Sequence, residues 1–336
     1  MAKWRGTGPE MTGDVAVHVA CGARLHMGFL DLSFTLGRRF GSIGMALDRP
    51  QTQITLRHST ETRVEGPESE RAARYLATLT RRLNLPSAHS LTIAAAMPAH
   101  AGLGSGTQLA LGIAAALRRL HGLPDDHAAD ARTLGRGGRS GIGLALFRHG
   151  GFVLDGGIGG AGGPPPMLSR VAIPETWRVL LIRDTAQTGL SGSDEVAAFA
   201  ALPPLDDAYS AEICRLVLMQ VLPALVEDDL ARFGAAISRI QVIIGEYFAP
   251  VQGGRFTSPR LAAALSLLSD AGATAAGQSS WGPAGFAVVD CPATAERLTD
   301  LLRQSTRSQG LDITICRPRN YGATISDHRS PITENG

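Results

Sequence analysis

Residues 98–108 read Pro-Ala-His-Ala-Gly-Leu-Gly-Ser-Gly-Thr-Gln, and the reading of this stretch decides the fold. It follows LTIAAAM (residues 91–97), which reads as a buried strand. It precedes a helix predicted from Thr107 to Leu120, in which Leu109, Ile113, Leu117 and Leu120 recur at helical spacing and Arg118 and Arg119 close the last turn. Gly102, Gly104 and Gly106 let the backbone approach an anion closely, and the first N–H groups of the helix lack intrahelical partners. The positive end of the helix dipole favours the same charge, so strand, glycine loop and helix together make a phosphate cradle. Ser105 and Thr107 add hydroxyl donors, and Gln108 completes the motif. The competing reading is a tight turn with a Ser/Thr cap.

The chain's chemistry is bounded from the outset by one count. Lys3 is the only lysine among 336 residues, so a Walker-type lysine and an internal Schiff base with pyridoxal phosphate are both excluded. Hydrophobic residues make up 44% and charged residues 18%, enough for a sizeable core and too little net charge for disorder. With 32 basic and 30 acidic side chains, no positive surplus points to a nucleic-acid partner. Aromatics at 5% do not favour stacking platforms for single strands. Cys21, Cys214, Cys291 and Cys316 are far apart in sequence, which excludes a zinc knuckle or a CxxC pair and suits reduced thiols. The scattered histidines form no HExxH motif. The stretch 83–117 lacks acidic and basic side chains, but Pro98, His100 and its glycines break it before it reaches the length of a membrane span. With no apolar leader in residues 1–14, the expectation is a cytoplasmic protein with no membrane partner.

Outward from the glycine loop, residues 1–13 read as a disordered arm and VAVHVAC (15–21) as a strand. TQITLR (52–57) is a second strand, 69–83 a helix, and a further helix opens at Pro124-Asp125-Asp126. FVLD (152–155) is a strand, and GGIGGAGGPPP (156–166) reads as the linker between lobes. The second half offers strands at 177–182, 285–289 and 312–316 and helices around 207–226, 228–247, 259–270 and 293–306. Strands followed by runs of helices, without regular βαβ alternation, predict a two-lobed α+β fold. The expected domains are an N-terminal lobe at 14–163, a C-terminal lobe at 164–325 and a tail at 326–336.

The loop's pattern, Pro-x-x-x-Gly-Leu-Gly-Ser-x between a strand and a helix, resembles the phosphate loop of the galactokinase, homoserine kinase, mevalonate kinase and phosphomevalonate kinase (GHMP) superfamily. The chain departs from those kinases at Gly106, where they usually carry a second serine, and in lacking their Pro-Gly-Arg/Lys and Gly-Glu-His motifs. Instead it has Cys21-Gly-Ala-Arg24-Leu-His26-Met-Gly-Phe-Leu-Asp31, Gly135-Arg136-Gly-Gly-Arg139-Ser140-Gly-Ile-Gly143 and Gly151-Phe-Val-Leu-Asp155-Gly-Gly157. In that order, over residues 15 to 320, these segments resemble the beta-ribofuranosylaminobenzene 5'-phosphate synthase family. The resemblance implies a GHMP-kinase-like fold and a decarboxylating transfer in which phosphoribosyl pyrophosphate and 4-aminobenzoate give a carbon-linked ribofuranoside, carbon dioxide and pyrophosphate. It implies the opening step towards methanopterin-type cofactors, Mg²⁺ without an organic cofactor, and a homodimer. An ATP-dependent small-molecule kinase and a non-catalytic sugar-phosphate sensor are the alternatives.

Candidate roles follow from side-chain chemistry. Arg24 and His26 are two positions apart, on one side if the strand continues; a guanidinium matches carboxylate or phosphate, and an imidazole moves a proton or sits as a structural group. Asp31 either orients His26 or holds a metal. Arg136 and Arg139 reach either the ribose phosphate or the benzoate carboxylate, with Ser140 beside them. At least one of the three arginines is expected on the benzoate, Arg24 first. Arg183 and Ser191 are candidates for a wall of the site, and Gln278, Ser279 and Trp281 form a polar loop whose indole either covers an aromatic ring or fills the lobe interface. Val226-Glu-Asp-Asp229 superficially resembles an acidic phosphoribosyl-pyrophosphate signature, but it lies between two helices and reads as a capped turn.

Overall fold

The computed structural model describes residues 15–86, 88–160, 162–189 and 192–329. Two long antiparallel strands, β1 (Val15–Asp31) and β2 (Phe40–His58), start the chain. The strand expected to stop at Cys21 runs ten residues further, because Leu25 to Phe29 are buried on both faces and lose the alternation that marks a strand in sequence. Its ladder slips between Gly22 and Arg24 and again between His26 and Gly28. Bulges of this kind re-aim side chains, and these two bracket Arg24 and His26.

A short β3 (Arg63–Glu65) leads into α1 (Ser69–Arg82) and β4 (His89–Ala95), which delivers the glycine loop. Next, α2 (Ser105–Leu120) is buried on nearly every side from Gln108 to Arg118, as its LALGIAAAL sequence requires. It packs across β1 and β2. α3 (His127–Thr133) and α4 (Ile142–His149) follow, then β5 (Phe152–Asp155) and β6 (Met167–Val171). The first sheet has the order β11 (Thr324–Arg329), β1, β2, β4, β3, with β5 joining β2 to β6. The proline- and glycine-rich stretch is therefore a turn within one sheet, and the change of sheet comes only after Val171, not at 163/164.

The second sheet opens with β7 (Arg178–Asp184). α5 (Ser193–Ala201) is followed by α6 (Asp207–Leu216), a π-helical turn at Val217–Val221, and α7 (Leu222–Val226). The 23-residue α8 (Leu230–Gln252) leads to α9 (Pro259–Asp270), β8 (Ala275–Gln278), β9 (Ala284–Val289), α10 (Pro292–Gln304) and β10 (Leu311–Cys316). Strand order is β10-β7-β9-β8, all antiparallel. The chain then returns to the first sheet as β11 (Thr324–Arg329), paired with β1, so the tail expected from 326 begins inside a strand. Between α7 and α8 the acidic run is a capped turn: Asp229 accepts from the Arg232 N–H and Asp228 from the Trp177 indole.

One buried ion pair anchors α3 to α2. Arg118 donates Nε to Asp130 Oδ2 at 2.7 Å and Nη2 to Oδ1 at 2.8 Å, and its Nη1 holds the Pro124 carbonyl at 2.7 Å. Both residues are under a tenth exposed. Removing one partner of such a pair strands the other charge. Asp130→Ala is expected to lower stability by about 3–5 kcal/mol, read as a shift in the denaturant midpoint at unchanged slope. A change below about 1 kcal/mol would place the pair in effective contact with solvent.

Candidate active site

The glycine loop is held by backbone contacts. Gly102 and Gly104 take φ of 80° and 74°, where L side chains are strained, and Gly104 is the residue from which α2 starts. A Cβ at Gly102 would stand 2.2 Å from the Ser279 carbonyl oxygen; one at Gly104 would meet Arg24 Nε at 3.1 Å. Across the loop, Arg24 N–H donates to the Leu103 carbonyl at 3.0 Å. Ser105, Gly106 and Thr107 form the first turn of α2, each partly exposed.

Two arginines stand at this helix start, and a third, Arg139, shares His26 and Glu195 with Arg24. Arg24 reaches the Gly102 carbonyl with Nη1 at 3.5 Å. Arg136 lies 3.2 Å from where a Gly106 side chain would begin, and its Nη2 bonds the Tyr75 hydroxyl. Arg139 pairs with Glu195 at 2.6 Å and lies 5.6 Å from the Phe199 ring centre. Arg24 Nε, Arg136 Nε, Arg139 Nη1 and His26 Nε2 are buried without hydrogen-bond partners. Such orphaned donors cost free energy, and an anion would satisfy those of the arginines.

Charge and burial act on these groups together. Burial pushes Arg24 down to about 10, opposed by Glu195. His26 is held well below its usual range, first by burial and then by Arg24 and Arg139. Burial raises Glu195, with Arg139 and Arg24 pulling it back. His26 is therefore a neutral imidazole at neutral pH, packed 4.4 Å from the Phe29 ring.

Behind the loop stands a brace from the other sheet. Ser279 Oγ donates to the Gly102 carbonyl at 2.7 Å and accepts from the His26 N–H at 3.0 Å. Gln278 accepts from the Thr257 N–H at 2.8 Å and donates to the Ser280 carbonyl at 3.0 Å, so its amide is committed to the scaffold. Trp281 is 2% exposed and packs on Phe248 and Phe199, with ring centres 4.2 and 5.3 Å away. It backs an aromatic cluster at the lobe interface; half-buried Phe199 is the member beneath Arg139.

Four expectations need correction. Asp31 does not bond His26; its Oδ1 accepts from Ser33 N and Oγ at 2.8 and 2.7 Å and caps the turn after β1. Arg183 is paired with Asp312 across β7 and β10, at the edge of the second sheet. Gln108 spends its amide on the Gly143 carbonyl at 2.9 Å, pinning α2 to α4. Ser140 bonds Asp155 at 3.3 Å and accepts from Ile142 N–H, so it shapes the arginine loop rather than meeting an anion. Ser191 lies outside the described residues.

Sequence reasoning assigned no role to Glu195, Tyr75, Phe199 or Asp155. Buried Asp155 accepts from Gly141 and Gly157 N–H at 2.8 and 2.9 Å and so fixes the loop that bears Arg136 and Arg139. Its position inside the quoted Gly151–Gly157 motif was the available signal; Glu195 lies in an unremarkable helical stretch.

Comparison with known proteins agrees with this geometry. The GHMP kinases N-terminal domain model matches residues 70–151, and the GHMP kinases C-terminal model matches 221–305. Beta-ribofuranosylphenol 5'-phosphate synthase of Methanothermobacter thermautotrophicus is 31% identical over 80% of this chain and 87% of that protein. The protein of that name from Archaeoglobus fulgidus is 32% identical over 90% and 97%. Among solved structures, homoserine kinase from Cytophaga hutchinsonii superposes with a TM-score of 0.65 at 15% identity, covering 96% of this chain and all of that one; the shared fold is the GHMP kinase fold.

Two outcomes are expected. Gly104→Val forces a β-branched side chain into a positive φ against Arg24, so affinity for inorganic pyrophosphate should drop at least about tenfold while the circular dichroism spectrum is kept. Equal loss of folding would make the loop a structural turn. Because His26 is already neutral, the pH dependence of kcat/KM for His26→Gln should parallel the parent between about pH 6 and 8. An inflection there that disappears in the variant would show that His26 titrates.

Proposed function

The chain belongs to the beta-ribofuranosylphenol 5'-phosphate synthase family, a transferase branch of the GHMP superfamily, and on that premise we propose that it joins phosphoribosyl pyrophosphate to 4-aminobenzoate with loss of carbon dioxide. The observation that carries the reading is the set of unpartnered guanidinium nitrogens: those of Arg24 and Arg136 at the α2 N-terminus and that of Arg139 over the Phe199 ring of an aromatic cluster. It supports a site for anions next to a flat ring, in a chain without the usual phosphate lysine.

The chemistry balances without an external base or oxidant. Pyrophosphate leaves the anomeric carbon of the ribose, which gains oxocarbenium character. The ring carbon bearing the carboxylate attacks it, the carbon–carboxylate bond breaks, and its electron pair restores aromaticity as carbon dioxide departs. The N–H groups of Ser105 and Gly106, with Arg136 beside Gly106, carry the charge that develops on the leaving pyrophosphate; the Thr107 N–H is spent on the Gly104 carbonyl at 3.0 Å. Mg²⁺ fits as an ion delivered with that pyrophosphate: it binds through one or two carboxylates plus substrate phosphates, and Glu195 supplies a cleft carboxylate while Ser105 and Thr107 supply hydroxyls. Its contribution would be further neutralisation of phosphate charge.

Arg139 is the arginine assigned to the benzoate carboxylate, in place of Arg24. It alone of the three lies over a ring of the aromatic cluster, and a planar fork pairs with a carboxylate bidentately. The relatives' name, with its phenol, favours 4-hydroxybenzoate as a second reading of the acceptor. Electron demand supports the amine. An amino lone pair feeds the ring without deprotonation, a hydroxyl is a weaker donor until ionised, and His26, held low, is a poor base.

Carboxyl-labelled 4-aminobenzoate should release carbon dioxide and pyrophosphate one to one. ATP turnover without carbon dioxide would instead place the protein among the kinases, and a higher kcat/KM for 4-hydroxybenzoate would reverse the acceptor. Arg139→Lys should cost about ten- to a hundred-fold in kcat/KM for the benzoate and leave KM for the ribosyl donor nearly unchanged. If the loss falls on the donor alone, Arg139 serves a phosphate.

A further inference from the structure

The opposite end of α2 carries a second cluster. The helix is 16 residues long, so about 24 Å separates its two ends. His58 is the last residue of β2 and His89 the first of β4, directly opposite each other in the antiparallel ladder. His121 caps the C-terminus of α2, with its N–H on the Leu117 carbonyl at 3.1 Å. One ring nitrogen from each of the three lies within 4.8 Å of the other two, the only such group of three among the described residues. His89 Nε2 and His121 Nε2 are 2.8 Å apart, and the His58 and His121 rings meet edge to face at 4.9 Å.

We propose that His58, His89 and His121 bind one divalent transition-metal ion of the zinc class, tying the C-terminal end of α2 to β2 and β4. The donor set decides the class. Three imidazoles without a carboxylate suit zinc, copper, nickel or cobalt rather than magnesium or calcium. Three protein ligands with a fourth position left to water is a common tetrahedral arrangement. With metal–nitrogen bonds of about 2.0–2.1 Å, tetrahedral ligands stand roughly 3.3 Å apart. His89 and His121 therefore need to part by about half an ångström. His58, exposed at the strand end, has the freedom to swing in. The site also lies at the negative end of the α2 dipole, which favours a cation. A dry hydrogen-bonded pair, His89 with His121, is the competing account.

The test uses the full chain without an affinity tag, stripped by a chelator and titrated with zinc chloride and, separately, cobalt chloride. The parent should take up one zinc per chain with a dissociation constant of about 1 µM or lower and show a raised melting temperature. Cobalt should give the intense visible absorption of a tetrahedral ion. His58→Ala removes an exposed side chain and should fold normally; it should weaken zinc binding at least about tenfold and abolish the tetrahedral cobalt spectrum. His121→Asn should do the same. Absence of uptake by the parent at about 100 µM zinc, or equal uptake by parent and both variants, would leave only the hydrogen-bonded pair and overturn the site.

Discussion

Three loops from two sheets meet backbone to backbone, and the position of every other group in the cleft depends on that junction. A side chain at Gly282 would begin 2.3 Å from the Ala101 carbonyl and the Gly102 nitrogen; one at Gly189 would begin 2.6 Å from Gly282. Gly189 N–H also donates to the His100 carbonyl at 3.0 Å. Ser279 completes the lock by bonding both His26 and Gly102. The rear of the glycine loop is thus fixed by contacts too close for any Cβ, while the first N–H groups of α2, at Ser105 and Gly106, have no intrahelical partner. Arg24 is aimed by the same device, since the bulges around it belong to the strand that Ser279 holds.

The cleft that results is electrostatically unfinished. Arg24 and Arg136 stand at one helix terminus, which itself favours negative charge, and Glu195 is the carboxylate that answers Arg24 and Arg139. A buried donor without a partner costs about 1–3 kcal/mol, so the folded protein holds several such deficits in one place. On the proposed reading an incoming anion would satisfy them, which is how preorganised donors become useful to a reaction. The Arg139–Glu195 pair fits the same logic. A buried ion pair adds little net stability, so exchanging one carboxylate for another on Arg139 is energetically accessible.

How much of this was legible in the sequence depended on how local the cause was. The glycine loop and α2 rest on neighbours within a few residues and lie where the pattern placed them, α2 beginning at Ser105, two residues before the expected Thr107. Arg183 failed because its partner, Asp312, is 129 residues away and invisible to local reading. Asp31 failed differently: its carboxylate satisfies the N–H groups two and three residues on, a role that competes with any distant one. Gln108 and Gln278 looked like polar groups near a ligand and are instead braces between elements. Glu195 and Phe199 went unremarked because only folding brings α5 against β1 and the arginine loop. The lobe boundary was misplaced since a run of glycine and proline marks a turn and says nothing about which sheet the next strand joins.

The fold shared with kinases does not prevent a change of chemistry, because the glycine loop never has to touch the atom that is attacked. In a phosphoryl transfer it bears charge on the group being moved; in the reaction proposed here it bears charge on the group being expelled. Both tasks are met by backbone N–H groups at a helix start, which carry no memory of the nucleophile. What differs is the wall opposite. A kinase needs a hydroxyl held in line with a terminal phosphate, whereas a ring carbon attacking a sugar needs a flat apolar surface and a hold on a carboxylate. Phe199 backed by Trp281 and Phe248 offers the surface, and Arg139 the hold. On the proposed reading, the chemistry is set by side chains of β1, α5 and the 135–143 loop, arranged around a glycine loop that itself departs from the kinase pattern at Gly106.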